Sequence, residues 1–353
     1  MTKHALIVGI TGISGSNLAE HLLASGDHWQ VSGLSRTKSP IASVKSLQCD
    51  LTEPQSVATA IGDLKPTHVF FTVWARQATE AENIRVNGAI VKNVLDALAG
   101  RGIRHAALVT GTKHYLGPFE AYAKAAPETP FREEQERLAY ENFYYEQEDI
   151  LFAAARRDGF TWSVHRPHTL IGYAVGNAMN MAATLGVYAT ICKETGRLFV
   201  FPGSPEQYQA ITDVTDARLL ARHLTWASTS PQAADHAFNV VNGEVFRWKW
   251  LWPRIATYFG LEAAPYPGHP TPLEVQMADA APIWDAIVAK YGLAPNKIDR
   301  VASFWHSDAD LSRQIETLND MGRSRRLGFL DYQDTTASFT DAFDRLRADR
   351  IIP

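Results

Sequence analysis

An apolar run followed by a glycine-rich turn constrains the fold of this chain more than any other feature. Residues 5–8 (Ala-Leu-Ile-Val) have the character of a buried strand, and Gly9, Gly12 and Gly15 follow at regular spacing. Glycines at such positions permit a tight turn, a close approach of the backbone to a pyrophosphate, and packing of the next helix against the sheet. We therefore predict a dinucleotide site at this turn, and a simple surface turn is the alternative. The predicted contacts are Gly9, Thr11, Gly12, Ile13 and Gly15.

Strand-like and helix-like segments alternate through the first half of the chain. Helix-length segments such as residues 15–24, 80–99 and about 138–157 separate short apolar runs. This alternation is typical of an α/β fold, a Rossmann-type doubly wound parallel sheet with helices on both faces. The predicted strands cover residues 5–8, 30–34, 47–49, 68–73, 105–109, 161–167, 198–201 and 236–241.

The end of the second predicted strand indicates the type of cofactor. Leu34 is followed by Ser35, Arg36 and Thr37, without an acidic residue that would bind a ribose hydroxyl. A basic, hydroxyl-bearing strand end suits the 2′-phosphate of NADP(H), although a solvated surface turn is the alternative. Asp50 follows the third predicted strand, where it would contact the adenine or cap the helix after Leu51.

Length and patterning together predict two regions. Residues 1–175, with strands returning from about 198–245, mainly form an NADP-binding Rossmann domain. Residues 176–197 and 246–353 form a smaller, mainly helical substrate-binding lobe. The region after Arg247 is rich in aromatic residues, which is consistent with a lobe that covers a ligand.

Composition excludes several classes of function. A net charge of -4 with 20% charged residues shows no basic footprint for nucleic acid. The two cysteines, Cys49 and Cys192, have no metal-ligating neighbours at short spacing, so we predict reduced thiols and no metal site. Because the first strand begins almost at once and no apolar stretch is long enough to span a membrane, we expect a cytoplasmic protein without membrane association.

The segment from Val109 to Tyr145 contains the residues that we predict to be catalytic. Tyr145 is followed by Glu-Gln-Glu-Asp, so the tyrosine–lysine pair, four residues apart, of ordinary short-chain dehydrogenases is absent. A phenol with a reference pKa near 10 is a poor acid unless a nearby cation favours its charged form. Lys113, at the end of the fifth predicted strand, is the candidate cation. The alternative is that Lys113 is solvated and Tyr145 packs in the core.

Several segments together resemble the progesterone 5β-reductase and iridoid synthase family of atypical extended short-chain dehydrogenases/reductases. The resemblance extends from about Ala5 to Pro353. The most specific segments are Thr110-Gly111-Thr112-Lys113-His114-Tyr115, Asn142-Phe143-Tyr144-Tyr145 and Trp162-Ser163-Val164-His165-Arg166-Pro167.

This resemblance implies an NADPH-dependent reduction of the C=C bond of an activated enone or enal. Hydride would pass to the β-carbon, while Tyr145 and Lys113 would stabilise the enolate oxygen. Further cofactor contacts are predicted at Thr72, Val73, Thr110, Gly111, Pro167 and Thr169. The predicted substrate pocket is lined by Trp74, Tyr115, Phe119 and Trp305.

The chain also departs from the family pattern. His168 and Thr169 stand where Gly-Asn is usual, and Thr112 and Thr37 stand where arginines are common, which leaves Arg36 as the principal cation for the 2′-phosphate. Two other functions remain open at this stage: an extended-family epimerase, dehydratase or ketoreductase, and a non-catalytic NADP-sensing regulatory protein. The expected partner is a small-molecule enone, and homodimer formation is left open.

Overall fold

The computed structural model describes residues 3–117, 127–174, 176 and 178–353. Within this part of the chain, seven parallel strands form one sheet in the order β3-β2-β1-β4-β5-β6-β9, and β7 pairs with β8 separately. The order reverses after β1, which confirms the predicted doubly wound Rossmann-type sheet. The strands are β1 His4–Val8, β2 Gln30–Ser35, β3 Lys45–Gln48, β4 His68–Phe71, β5 His105–Val109, β6 Thr161–Pro167, β7 Leu170–Ile171, β8 Thr215–Asp216 and β9 His236–Val240.

Helices cover both faces of the sheet, because the strands are apolar on both sides. On one face α1 (Ile13–Ala24) and α8 (Ala217–Thr229) enclose one core with the strands. On the other face α2 (Pro54–Ile61), α3 (Glu80–Ala97) and α5 (Phe143–Asp158) enclose a second core. A short helix, α4 (Lys113–Leu116), begins just beyond the end of β5.

A third core fills the lobe beside the sheet. It is built around α6 (Met181–Thr195), whose residues 181–192 are all buried, together with apolar faces of other helices. The remaining helices are α7 Pro205–Gln209, α9 Trp248–Phe259, α10 Leu273–Gln276, α11 Ala280–Tyr291, α12 Ile298–Val301, α13 Phe304–Leu311, α14 Gly322–Arg326 and α15 Thr335–Ala348.

Two local predictions are corrected by the structure. Residues 198–201 do not form a strand, because Phe199 makes only a single bridge, to Ala263, and packs with Phe201 in the lobe core. The helix expected from Leu138 begins at Phe143, because the side chain of Asn142 accepts a hydrogen bond from the amide of Tyr144 and caps it. The division of the chain into two regions stays a prediction.

A chain of buried polar side chains crosses the sheet from β5 to α14. The ring of His105 contacts the hydroxyl of Ser163 at 2.8 Å, which contacts His165 at 2.8 Å. His165 and His223 share a hydrogen bond of 3.0 Å between their Nδ1 atoms, and His223 reaches Ser324 at 2.8 Å. Since a hydrogen bond between two ring nitrogens needs one donor and one acceptor, at least one of His165 and His223 must be neutral.

A helix must be about 20 residues long and mostly apolar to cross a membrane. Within the described residues, none combines the necessary length with sufficient apolar character.

Candidate cofactor and active site

The turn between β1 and α1 leaves no room for a side chain at Gly9 or at Gly15. Gly9 has a φ of 93°, a left-handed conformation that favours glycine. A Cβ atom added to Gly15 would lie 2.3 Å from the carbonyl oxygen of Gly9, so the helix and turn are in direct backbone contact. The first turn of α1 contains no acidic residue, and no side chain caps it at Gly12. The amide groups and positive dipole end of α1 are therefore suited to a pyrophosphate.

At the end of β2, the structure distinguishes the roles of the predicted nucleotide contacts. The hydroxyl of Ser35 donates to the carbonyl of Thr37 at 2.6 Å and shapes the turn, while Arg36 and Thr37 are exposed. Asp50 accepts hydrogen bonds from both the amide and the hydroxyl of Thr52, and these bonds lower the pKa of its carboxyl. Asp50 therefore stabilises its own turn, but it does not cap the next helix, whose N-cap is Glu53 without a side-chain hydrogen bond. Its contact with the adenine stays a prediction.

The carboxyl ends of β4, β5 and β6 form the edge at which a nicotinamide would lie in such a fold. The hydroxyl of Thr72 donates to the carbonyl of Val8 at 2.9 Å, and the amide of Thr110 donates to His165 at 2.8 Å. The amide of Thr112 donates to the carbonyl of Pro167 at 3.2 Å. These bonds hold the residue after β4 against the end of β1, and the residues after β5 against the end of β6.

Lys113 is buried at this edge, with its side chain only 5% exposed. Its ammonium lies 2.5 Å from Oε2 of Glu80 and 4.6 Å from the centre of the Phe143 ring. The other oxygen of Glu80 accepts the amide proton of Phe143 at 2.8 Å. One carboxylate thus links the beginnings of α3, α4 and α5, and it compensates the buried charge of Lys113.

The hydroxyl of Tyr145 is held by two backbone groups. It donates to the carbonyl of His114 at 2.6 Å and accepts the amide proton of Leu138 at 3.0 Å. The side chain is buried, and burial raises the pKa of Tyr145 above its ordinary value. Lys113 forms an ion pair with Glu80, and its catalytic pairing with Tyr145 stays a prediction.

The hydroxyl of Tyr144 lies beside Gly111. A Cβ atom added to Gly111 would lie 3.1 Å from the hydroxyl oxygen of Tyr144 and 3.3 Å from the carbonyl of Pro167. The hydroxyl of Tyr144 is therefore at the carboxyl ends of β5 and β6. The sequence alone does not distinguish Tyr144 from Tyr145, because two adjacent tyrosines cannot be assigned to helix faces until the phase of the helix is known.

The predicted pocket residues lie in three different settings. Trp74 stacks on Phe143, with ring centres 5.7 Å apart, next to Lys113. Tyr115 is buried, and its hydroxyl donates to Asn239 at 2.6 Å and accepts from Arg166 at 3.1 Å, which gives it a structural role. Trp305 lies on α13 beneath the guanidinium of Arg76. Phe119 is outside the described residues.

A family model for the PRISE-like Rossmann-fold domain matches residues 44–353. The chain belongs to this family. The family that was predicted from the sequence is confirmed by curated relatives at 36–39% identity over the full chain.

Two relatives of this PRISE-like chain have names that state an activity. An (S)-8-oxocitronellyl enol synthase from Nepeta cataria is 39% identical, with 99% of this chain and 93% of the relative covered. A 3-oxo-Δ(4,5)-steroid 5β-reductase from Arabidopsis thaliana is 36% identical, with 99% and 93% covered.

Solved structures show that the PRISE-like chain shares its fold with epimerases of low sequence similarity. An epimerase from Methanothermobacter thermautotrophicus has a TM-score of 0.70 at 14% identity, covering 99% of this chain and 93% of the other. The UDP-glucose 4-epimerase of Thermotoga maritima has a TM-score of 0.67 at 14% identity, covering 98% and 99%. At this identity the similarity concerns the fold alone.

Proposed function

We propose that this oxidoreductase uses NADPH to reduce the C=C bond of an α,β-unsaturated ketone or aldehyde, with hydride added to the β-carbon. The observation that carries the proposal is the match along 99% of the chain to proteins named as an enol synthase and as a Δ(4,5)-steroid 5β-reductase. Both names fit reduction of a double bond conjugated to a carbonyl. The epimerase alternative is suggested by structures at 14% identity, which show the fold alone.

A nicotinamide dinucleotide fits the residues at the edge of the sheet. The backbone turn at Gly9 and Gly15 admits a pyrophosphate, and the uncapped start of α1 favours its charge. Arg36 and Thr37 are exposed at the end of β2, where they would bind the 2′-phosphate of NADPH. Bound NADPH supplies the hydride.

Tyr144 is the hydrogen-bond donor that we assign to the substrate carbonyl. Its hydroxyl lies beside Gly111 at the carboxyl ends of β5 and β6, and the hydroxyl of Tyr145 donates to the carbonyl of His114. The ammonium of Lys113, held by Glu80, supplies positive charge at the same edge. A preorganised donor at a developing oxyanion commonly contributes about 3–4 kcal/mol to the lowering of the barrier. Tyr145 remains the assignment that the sequence alone favours.

Purified protein mixed with NADPH and a panel of enones and enals tests the reaction directly. The panel contains 2-cyclohexen-1-one, progesterone and 8-oxogeranial, and NADPH oxidation is followed by absorbance and the products by mass spectrometry. We expect saturated carbonyl products, labelled at the β-carbon when the transferred hydrogen of NADPH is deuterium. An allylic alcohol as the product would instead indicate a ketoreductase.

A further inference from the structure

A cleft opens on one face of the sheet, between α5 and the edge strand β9. Its volume is about 550 Å³, which lies in the range of small-molecule sites. Trp162 and Arg166 line it from β6, and they share a face because side chains alternate along a strand. Phe152 lines it from α5 and Ala237 from β9. This space is called the α5 cleft below.

The α5 cleft is separate from the reaction edge, which is the edge of the sheet that holds the candidate cofactor residues. Among the described residues that line the cleft, none belongs to the candidate cofactor or substrate contacts. The helix α4 connects the two places, since Lys113 begins this helix and His114, the next residue, lines the cleft. A ligand of the α5 cleft would therefore be distinct from both NADPH and the enone.

Four polar atoms at the floor of the α5 cleft have no hydrogen bond within the described part of the chain. They are both ring nitrogens of His114, Oε1 of Glu148 and Nε of Arg166. Oε1 of Glu148 lies 3.5 Å from Nη2 of Arg166 and 3.7 Å from Nδ1 of His114. All three side chains are at most 6% exposed. Because most buried polar groups in proteins are hydrogen-bonded, this cluster indicates a polar occupant.

The four unpaired atoms include both donors and acceptors. Burial and the nearby guanidinium of Arg166 lower the pKa of His114 to about 3, so its ring is neutral, with one N–H group and one acceptor nitrogen. Nε of Arg166 is a donor, and Oε1 of Glu148 is an acceptor. A hydroxyl group donates and accepts at once, so a single hydroxyl can bond to Glu148 and to Arg166 or His114.

The charge of the α5 cleft is nearly balanced. Three arginines and four carboxylates of the described residues line it. Arg137 pairs with both Glu148 and Asp149 at 2.9 Å. A charged ligand would lose its hydration without gaining an unpaired counter-charge, which favours an uncharged ligand.

Two aromatic rings form one wall of the α5 cleft. The ring centres of Phe152 and Trp162 are 4.2 Å apart, and both side chains are half-buried. Aromatic rings pack well against each other in offset or edge contacts. This wall therefore suits a planar aromatic ring.

We infer that the α5 cleft binds an uncharged aromatic compound that carries a hydroxyl group, with the ring against Phe152 and Trp162 and the hydroxyl between Glu148 and Arg166. This binding site is independent of the proposed reductase function, because none of its residues takes part in that reaction. It is a second small-molecule site on the face of the sheet that α5 covers.

Three compounds with the same rings test the inference without any mutation: 2-naphthol, 2-methylnaphthalene and 2-naphthoate. Equilibrium dialysis against the full chain with saturating NADP+ measures each dissociation constant. We expect 2-naphthol to bind about tenfold more tightly than 2-methylnaphthalene, because its hydroxyl gains hydrogen bonds to charged groups. The carboxylate of 2-naphthoate meets Glu148, so this compound should bind most weakly. No binding of 2-naphthol, equal binding of 2-naphthol and 2-methylnaphthalene, or a preference for 2-naphthoate would overturn the inference.

Variants then locate the bound ring. Ala237→Leu places a larger side chain in the α5 cleft, and Phe152→Ala removes half of the aromatic wall, so each should weaken 2-naphthol binding by about tenfold. Trp305→Ala changes the predicted substrate pocket and should leave the dissociation constant at the wild-type value. A loss of binding in Trp305→Ala that equals or exceeds the loss in Ala237→Leu would place the ring at the reaction edge and contradict the inference. Thermal unfolding of each variant identifies effects on folding.

Discussion

Tyr144 and Tyr145 are neighbours in α5, but an α-helix turns them about 100° apart, so their hydroxyls have different surroundings. The hydroxyl of Tyr144 lies beside Gly111, at the carboxyl ends of β5 and β6. The hydroxyl of Tyr145 is hydrogen-bonded to the carbonyl of His114 and the amide of Leu138. We expect Tyr144→Phe to lower kcat by about 10²–10³-fold through loss of the donor to the carbonyl oxygen.

Tyr145→Phe is the matched control, because it removes one hydroxyl from the adjacent residue. We expect it to retain most activity and to lower the free energy of unfolding by about 1 kcal/mol through loss of a buried hydrogen bond. Steady-state kinetics and urea unfolding separate the two effects. The reverse pattern, with activity lost only in Tyr145→Phe, would return the catalytic role to Tyr145.

Arg36 provides a residue-level test of the cofactor. Because its guanidinium is expected to bind the 2′-phosphate, Arg36→Gln should weaken NADPH binding by about 10–100-fold and change NADH binding little. Titration of intrinsic tryptophan fluorescence with each nucleotide measures both dissociation constants. Arg132→Gln, a change at an exposed arginine that pairs with Asp320, should alter neither. Equal weakening of NADPH and NADH would argue against a phosphate contact at Arg36.

At the level of secondary-structure elements, Glu80 connects the beginnings of three helices. It is the first residue of α3, pairs with Lys113 at the start of α4 and accepts the amide proton of Phe143 at the start of α5. Glu80→Gln preserves an acceptor for the amide of Phe143 but removes the negative charge of Glu80 that faces the buried ammonium of Lys113. We expect a fall of about 1–3 kcal/mol in the free energy of unfolding and about tenfold in kcat.

Glu82→Gln is the control for that change. Glu82 lies in the same first turn of α3 but is exposed, so its loss should leave both kcat and unfolding close to wild type. If the two variants behave alike, the effect of Glu80 arises from the charge at the helix terminus and not from its contact with Lys113.

For the whole molecule, the histidine chain across the sheet predicts sensitivity to acid. Burial lowers the pKa of His105 to about 3, that of His223 to about 3 and that of His165 well below 6.5. The unfolded chain therefore binds more protons than the folded chain below pH 6.5, and stability falls as the pH decreases from there towards about 3. Each histidine contributes a slope of up to about 1.4 kcal/mol per pH unit.

Urea unfolding between about pH 8 and about pH 5 measures this slope. His165→Gln should make it shallower, although it also lowers stability at the upper end by disturbing the hydrogen-bonded chain. His269→Gln, at an exposed position, should leave the slope unchanged. A free energy of unfolding that stays constant across this pH range in the wild type would contradict the lowered pKa values of the buried histidines.

How far the sequence predicted the molecule depends on whether the relevant contacts are local. The turn at Gly9 and Gly15 and the alternating strands were predictable, because each signal lies within a few residues. The Glu80–Lys113 pair joins residues 33 positions apart, and no local pattern indicates it. The side of α5 on which each tyrosine lies depends on where Asn142 caps the helix. Phe199 was taken for a strand residue because burial in a helical core produces the same short apolar run.

The position of α13 outside the seven-stranded sheet also has a practical consequence for biocatalysis. Its Trp305, which is predicted to line the substrate pocket, is far along the chain from the turn at Gly9 and from Arg36. A small library of variants at Trp305 would therefore test the range of substrates while every member kept the same residues at the predicted nucleotide site. Screening such a library with one cofactor and many enals would yield tailored reductases from a single scaffold.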